Sequence, residues 1–215
     1  MGNDSKGPVT VRIPVRIAFA GGWSDVHYFS AREGGAVLNA AISPYVEGSA
    51  RWEGWQLHLE YSLALPSGSH LGTSASVDVA WLALTNGIIG RKQSPVELAE
   101  AAYHLEKMLG VTGGKQDQHV AALAGVNLLR FGAEDEPADV EQRAVPRQTV
   151  DALRVRCVLC YSSKPQGRDR CTSRSGSGTA TATRRLRRRC AGCATAPRRH
   201  AMPSCAAILT RWPAC

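Results

Sequence analysis

The sequence predicts an α+β layered domain, and three observations carry that reading. Alternating or short apolar runs crowd residues 9–61, the pattern of half-buried strands. Two helical stretches follow, Thr73–Ile89 and the segment after Ser94. Strand-like runs then return at Val126–Phe131 and Leu153–Tyr161. Strands first, with helices interspersed later, implies helices laid over a sheet.

Each element has a local cause. Val9–Ile13 and Arg16–Ala20 read as strands stopped by Gly21-Gly22, and Ala36–Ile42 and Tyr45–Trp52 read as further strands. Trp55–Tyr61 alternates, with Trp55, Leu57, Leu59 and Tyr61 on one face. Thr73–Ile89 is apolar on most sides and reads as a buried helix. Ser94-Pro95-Val96-Glu97 is a capping box with proline at the first helical position, and Gly110 follows the far end. Between them Leu98, Ala101, Ala102, Leu105 and Leu109 form an apolar stripe. Gln116–Leu123 reads as a short helix.

The segment Leu65–Ser76, LPSGSHLGTSAS, runs directly into the apolar helix. A glycine-rich turn at a helix N-terminus offers backbone N–H groups and a positive dipole end to an anion. Gly68 and Gly72 let the chain approach closely, and the serine and threonine hydroxyls can donate to phosphate or ligate a hard cation. No Gly-Lys-Ser/Thr follows, and the spacing does not fit G-x-G-x-x-G, so two common nucleotide loops are excluded. A plain N-capping turn remains the alternative on these residues alone.

Three segments in order raise the phosphate reading. Arg12-Ile13-Pro14-Val15-Arg16 with Ala20-Gly21-Gly22-Trp23-Ser24-Asp25, then Pro66–Ser74, then Gly114-Lys115-Gln116-Asp117-Gln118 resemble the three N-terminal signatures of the GHMP small-molecule kinases. The first looks most like L-fucose kinases, the last most like heptose-7-phosphate kinases, which share Lys115 where fucose kinases carry tryptophan. Two positions depart from the pattern. His70 stands where the phosphate loop has a second glycine, and Val26-His27 replaces the Thr-Pro-Pro of fucose kinases. The resemblance covers residues 9–161 and implies a ribosomal-protein-S5-like N-terminal domain binding ATP and Mg²⁺, with a small sugar or sugar phosphate as acceptor.

The resemblance also implies roles. Asp117 would take the proton from the sugar hydroxyl and Arg16 would reach that aspartate. Pro66, Gly68, Ser69, Leu71, Gly72, Thr73 and Ser74 would cradle the nucleotide. Ser74, or Thr73, and Glu106 would hold the metal. Trp23, Ser24 and Asp25 would hold the sugar. Phosphoryl transfer needs positioning and charge neutralisation more than covalent chemistry, which suits such a set. On its own, Glu106 also reads as an exposed helix carboxylate paired with Lys107 or Arg91, and Arg16 as a surface arginine on an edge strand. His27, His104 and His119 show no ligand spacing and read as structural or exposed.

Charge divides the chain. Residues 1–161 hold 14 Lys+Arg against 17 Asp+Glu, whereas residues 162–215 hold 12 against the single acid Asp169. The formal net charge of +8 therefore belongs to the last segment, as do five of the seven cysteines. With few aliphatic residues, 162–215 is expected to be a disordered basic tail. Its Arg, Ala, Ser, Thr, Pro and Cys are what a GC-rich gene gives out of frame. The ferredoxin-like C-terminal domain of the family, with its third glycine-rich motif, is then expected to be missing; Ser175-Gly176-Ser177-Gly178 does not replace it. The alternative to a sugar kinase is a non-catalytic remnant that binds nucleotide weakly.

Other classes fit less well. No aromatic interleaves Arg184–Arg189, so no specific nucleic-acid partner is expected. Cys157-x-x-Cys160 lies in an apolar run and reads as small core residues rather than half of a zinc site. Residues 1–8 read as a flexible N-terminus with no leader, no run of 18 apolar residues occurs, and a cytoplasmic location without membrane contact is expected.

Overall fold

The computed structural model describes residues 7–63, 65, 69–111, 113–133 and 136–160, with the backbone of Ile208–Thr210. Its elements run β1 (Val9–Ala20), α1 (His27–Glu33), β2 (Gly35–Glu53), β3 (Gln56–Leu63), α2 (Thr73–Ile89), α3 (Pro95–Met108), α4 (Gln116–Leu123), β4 (Val126–Phe131), β5 (Asp139–Gln142), α5 (Arg147–Arg156), β6 (Cys157–Leu159) and β7 (Ile208–Thr210).

A five-stranded antiparallel sheet organises the fold around β2. β1 pairs along β2 from Val9↔Ala50 to Ala20↔Leu38. The other edge is shared: β4 takes Gly35–Ala40 and β3 takes Val46–Glu53. Each expected pair of short strands in the first half is therefore one long strand. Between Pro14↔Tyr45 and Val15↔Ile42 the strand β2 carries two extra residues, Ser43 and Pro44, a bulge at which a proline without an N–H interrupts the ladder.

The helices cover the sheet as the sequence implies. α2 and α4 lie against β1 and β2, and α3 packs on both helices. Val79, Ala102 and Ala121 form the centre of that helical layer, while Ala50, Leu84 and Ile88 join α2 to the far end of the sheet. The capping box of α3 is complete, Ser94 and Glu97 bonding each other's backbone N–H groups. Both ends of α2 and of α4 fall where the sequence places them.

Four details differ. The buried stripe of α3 is Ala99, Ala102, Tyr103 and Glu106, one step round from the expected one, and Leu109 is 70 % exposed. Leu109 caps the helix and turns out before Gly110, which carries φ 78°. Trp55 sits in the turn before β3 and is 87 % exposed, so only Leu57 and Leu59 of its expected face pack on the core.

The third and fourth concern one segment. Leu153–Arg156 closes helix α5, which begins after Pro146 and carries Asp151 between Arg147 and Arg154 at 3.8 and 4.0 Å. The alternation Leu153-Val155-Cys157 hides that helical frame. Only Cys157–Leu159 is strand, paired with Ile208–Thr210 inside the expected tail. Cys157 is part-exposed and Cys160 exposed, so neither is a core residue. The remainder of 161–215, with Cys190, Cys193 and Arg184–Arg189, lies outside the described residues. Among the described residues no helix is long and apolar enough to cross a membrane, and no group of His, Cys, Asp and Glu has metal-site geometry.

Candidate active site

Arg16 and Asp117, 101 residues apart, meet where β1 passes the start of α4. Nε and Nη2 of Arg16 both donate to Oδ1 of Asp117, at 2.7 and 2.6 Å, and both side chains are largely buried. The pairing answers why a charge sits in an apolar strand: its partner is a carboxylate on the helix packed above it. Arg16 also anchors the loop before α2. Its backbone N–H donates to Leu71 O at 3.0 Å, and Nη1 stands 3.5 Å from His70 O.

Gly72 closes the same corner. It is the N-cap of α2 with φ 76°, and a Cβ on it would lie 3.3 Å from Asp117 Cγ and 3.4 Å from Arg16 Cγ. Ser76 Oγ donates to Pro14 O and Gly72 O, and the Ser69 and Thr73 hydroxyls are 2.9 Å apart. Leu71 is buried and Ser74 exposed at the first turn of α2. That turn holds no acidic side chain and no side-chain cap, so its dipole end is uncompensated by the helix itself. Pro66 and Gly68 lie outside the described residues.

Glu106 is 7 % exposed, which removes the surface-carboxylate alternative. Its Oε2 accepts from Gln118 Nε2 at 2.6 Å. Asp78 of α2 is its second neighbour: burial raises the Asp78 pKa, and the hydrogen bond with Glu106 opposes that rise. Sequence reasoning missed Asp78, although it is the single acidic residue of the apolar run 73–89 and that is itself a signal. Glu106 of α3 and Asp78 of α2 are thus adjoining carboxylates, and the exposed Ser74 lies one turn before Asp78 on α2.

The Trp23-Ser24-Asp25 segment forms the other wall. Trp23 adopts φ 75°, a backbone state that a bulky residue rarely takes, and is 37 % exposed. Ser24 Oγ is held internally, donating to Gly21 O at 2.6 Å and accepting from Ala36 N at 3.1 Å. Asp25 is 4 % exposed, with one oxygen on Gln116 N at 3.0 Å and the other on Gln116 Nε2 at 2.8 Å. Burial pushes its pKa up to about 6, against the pull of the Gln116 N–H.

Behind this wall lies a charged clasp that sequence reasoning did not find. Lys115, 5 % exposed, donates to Glu100 Oε2 at 2.9 Å and Glu136 O at 2.8 Å and stands 5.1 Å over the Tyr103 ring. His119 is wholly buried, with Nδ1 on Lys115 O at 2.8 Å and Nε2 3.3 Å from Glu100. Burial would raise the Glu100 pKa, but His119 and Lys115 together hold it at about 2. Lys115, the position that separates fucose from heptose kinases by resemblance, is thus turned into the fold.

Residues 37–125 match the family described as GHMP kinases N terminal domain, a span that holds the loop before α2, Glu106 and Asp117. The chain is 25% identical over 203 residues to the D-glycero-alpha-D-manno-heptose 7-phosphate kinase of Campylobacter jejuni, covering 72% of this chain and 60% of that protein. It is 37% identical over 70 residues to the L-fucokinase/L-fucose-1-P guanylyltransferase of Bacteroides fragilis, 33% of this chain and 7% of the relative. The crystal structure of a D-glycero-D-manno-heptose 1-phosphate kinase from Bacteroides thetaiotaomicron superposes with TM-score 0.64 at 26% identity, over 70% of this chain and 64% of that one. Lactococcus lactis galactokinase shares the fold at TM-score 0.55 and 14% identity, over 87% and 69%. The chain thus spans less than two thirds of the length of the heptose kinases it matches.

Proposed function

We propose, for a chain whose residues 37–125 match the GHMP kinase N-terminal domain family, an ATP-dependent phosphoryl transfer to a hydroxyl of a sugar or sugar phosphate. The observation that carries it is the Arg16–Asp117 pair packed against Gly72 at the start of α2. A base, its orienting cation and an anion-accepting helix end share one corner there. The residues present suit MgATP. Gly72 is a place where a Cβ would crowd Asp117 and Arg16, the first turn of α2 carries no acidic side chain, and Glu106 with Ser74 offers the kind of oxygen donors a hard cation takes.

MgATP, when bound, supplies the transferable phosphoryl and neutralises its oxygens. The protein's part is positional. Asp117 accepts the proton of the attacking hydroxyl, and Arg16 holds its carboxylate in place and offsets the charge that gathers there. Ser69, Leu71, Gly72, Thr73 and Ser74 seat the phosphates. Trp23 offers a flat face to the sugar ring. The heptose-phosphate and fucose kinases among the relatives support a sugar acceptor.

The test is ADP release by the full chain from MgATP with D-glycero-D-manno-heptose 7-phosphate or L-fucose. Asp117→Asn should lower turnover by about 10²–10⁴-fold while nucleotide affinity, read by calorimetry, stays near that of the parent. Equal turnover of parent and variant removes the assignment. Calorimetric nucleotide binding with no ADP release would instead select the alternative named from the sequence, binding without transfer.

A further inference from the structure

The Trp23–Asp25 segment looks by resemblance like a sugar-holding element, yet Asp25 faces inward. Each of its oxygens accepts from one residue, Gln116, which begins α4 immediately before Asp117. α4 needs such a partner: its N-cap is Lys115, whose side chain makes no capping bond and is drawn instead to Glu100 and Glu136. The first-turn N–H of a helix with no local cap must find an acceptor elsewhere, and here it comes from 91 residues away.

The fit around that contact is close. A Cβ on Gly114 would lie 1.8 Å from Asp25 Oδ2, so only glycine lets the carboxylate reach the helix end. Val26 and Gly114 form an isolated antiparallel bridge beside it. The Gly-Lys-Gln-Asp turn is therefore shaped around Asp25. α4 is held on two sides: Gln116 by Asp25, and Asp117 by Arg16.

We propose that Asp25 is a positioning residue: by accepting both N–H groups of Gln116 it fixes the first turn of α4 and so the direction in which Asp117 presents its carboxylate. The assignment rests on reading Asp117 as the base of a sugar kinase. It departs from a direct hold on the sugar, because a residue that binds substrate must turn an oxygen to the cleft, and Asp25 turns both to the helix. Loss of a positioning residue lowers kcat and leaves the sugar KM, whereas loss of a sugar ligand raises KM.

Two measurements on the full chain test it together, amide hydrogen exchange and steady-state ADP release with heptose 7-phosphate or L-fucose as acceptor. In Asp25→Ala the amides of residues 116–119 should exchange about tenfold faster or more, with β1 and β2 amides unchanged. In the same variant kcat should fall about tenfold to a hundredfold at near-constant sugar KM. The double variant Asp25→Asn with Gln116→Glu reverses the donor and acceptor of the side-chain bond and keeps one negative charge. It should restore both readouts to within about threefold of the parent, which no direct sugar contact predicts. Should Asp25→Ala not fold, Asp25→Asn alone against the double variant makes the same comparison. Unchanged exchange at 116–119, a raised sugar KM with kcat kept, or failure of the double variant to rescue overturns the proposal. A parent chain that transfers no phosphate rejects the kinase reading, and the exchange arm still decides whether Asp25 sets α4.

Discussion

Gln118 donates to Glu106 Oε2 at 2.6 Å, joining the last turn of α3 to the first turn of α4. The bond uses an amide donor, so an amide oxygen in place of the carboxylate still satisfies it. Glu106→Gln should therefore fold normally, and by removing one of two adjoining carboxylates it should leave the melting temperature unchanged or raised. The Mg²⁺ concentration for half-maximal ADP release should rise about tenfold. A magnesium titration beside a thermal melt checks both halves.

Gly72→Ala should be costly for two reasons. The position has φ 76°, and the new methyl would press on Asp117 and Arg16 at 3.3–3.4 Å. Together these should destabilise the protein by about 1–2 kcal/mol, read as a lower urea midpoint. Turnover should fall as well, because the pair that yields is the one at the proposed reaction centre.

His70→Gly should act in the opposite direction. His70 holds φ 58° and exposes its side chain, so glycine relieves a left-handed backbone without opening a cavity. Stability should be held or gain up to about 1 kcal/mol, the relief being offset by the freer unfolded chain. ADP release should be equal or higher, since the loop loses a ring beside the expected phosphate path.

Two carboxylates, buried Asp25 and half-buried Glu100, give stability opposite pH slopes. Glu100, held at about 2 against an ordinary 4.5, contributes stability that is complete above pH 4.5 and is lost as pH falls towards 2. Asp25, raised to about 6 from 3.8, contributes stability that is complete below pH 3.8 and is lost as pH rises through 6. The second effect amounts to about 3 kcal/mol over its whole window and about 1 kcal/mol between pH 5 and 7. Asp25→Asn should remove that slope. Urea denaturation of parent and variant at pH 5 and 7 should show the parent losing about 1 kcal/mol more than the variant.

Much of this was legible from local chemistry. The capping box of α3, the apolar run of α2 and the glycines around α4 are short-range signals, and the structure follows them nearly to the residue. The Arg16–Asp117 contact came from motif resemblance alone; no period or spacing joins residues 101 positions apart. The role of Glu100 and the inward turn of Asp25 were invisible because each depends on which element packs above it, whereas Asp78, alone among the apolar residues of α2, left a signal. α5 was misread for a different reason. Its apolar residues are few and exposed, so neither helical nor strand periodicity dominates, and Pro146 with the Asp151 ion pairs decides.

The two-sided pairing of β2 also sets an order of assembly. Its first half is zipped to β4, so that Gly35 meets Phe131 and Ala40 meets Val126. Contacts between such distant segments close slowly, after local helices and neighbouring hairpins have formed. The β2–β3 hairpin, with Glu53 opposite Gln56, has no such delay. Arg16 and Asp117 belong with the late set, since one rides on β1 and the other on the helix that leads into β4. A refolding chain should thus regain most of its helical and hairpin signal before the Arg16–Asp117 pair forms, and any protease that samples the early species meets α4 unanchored.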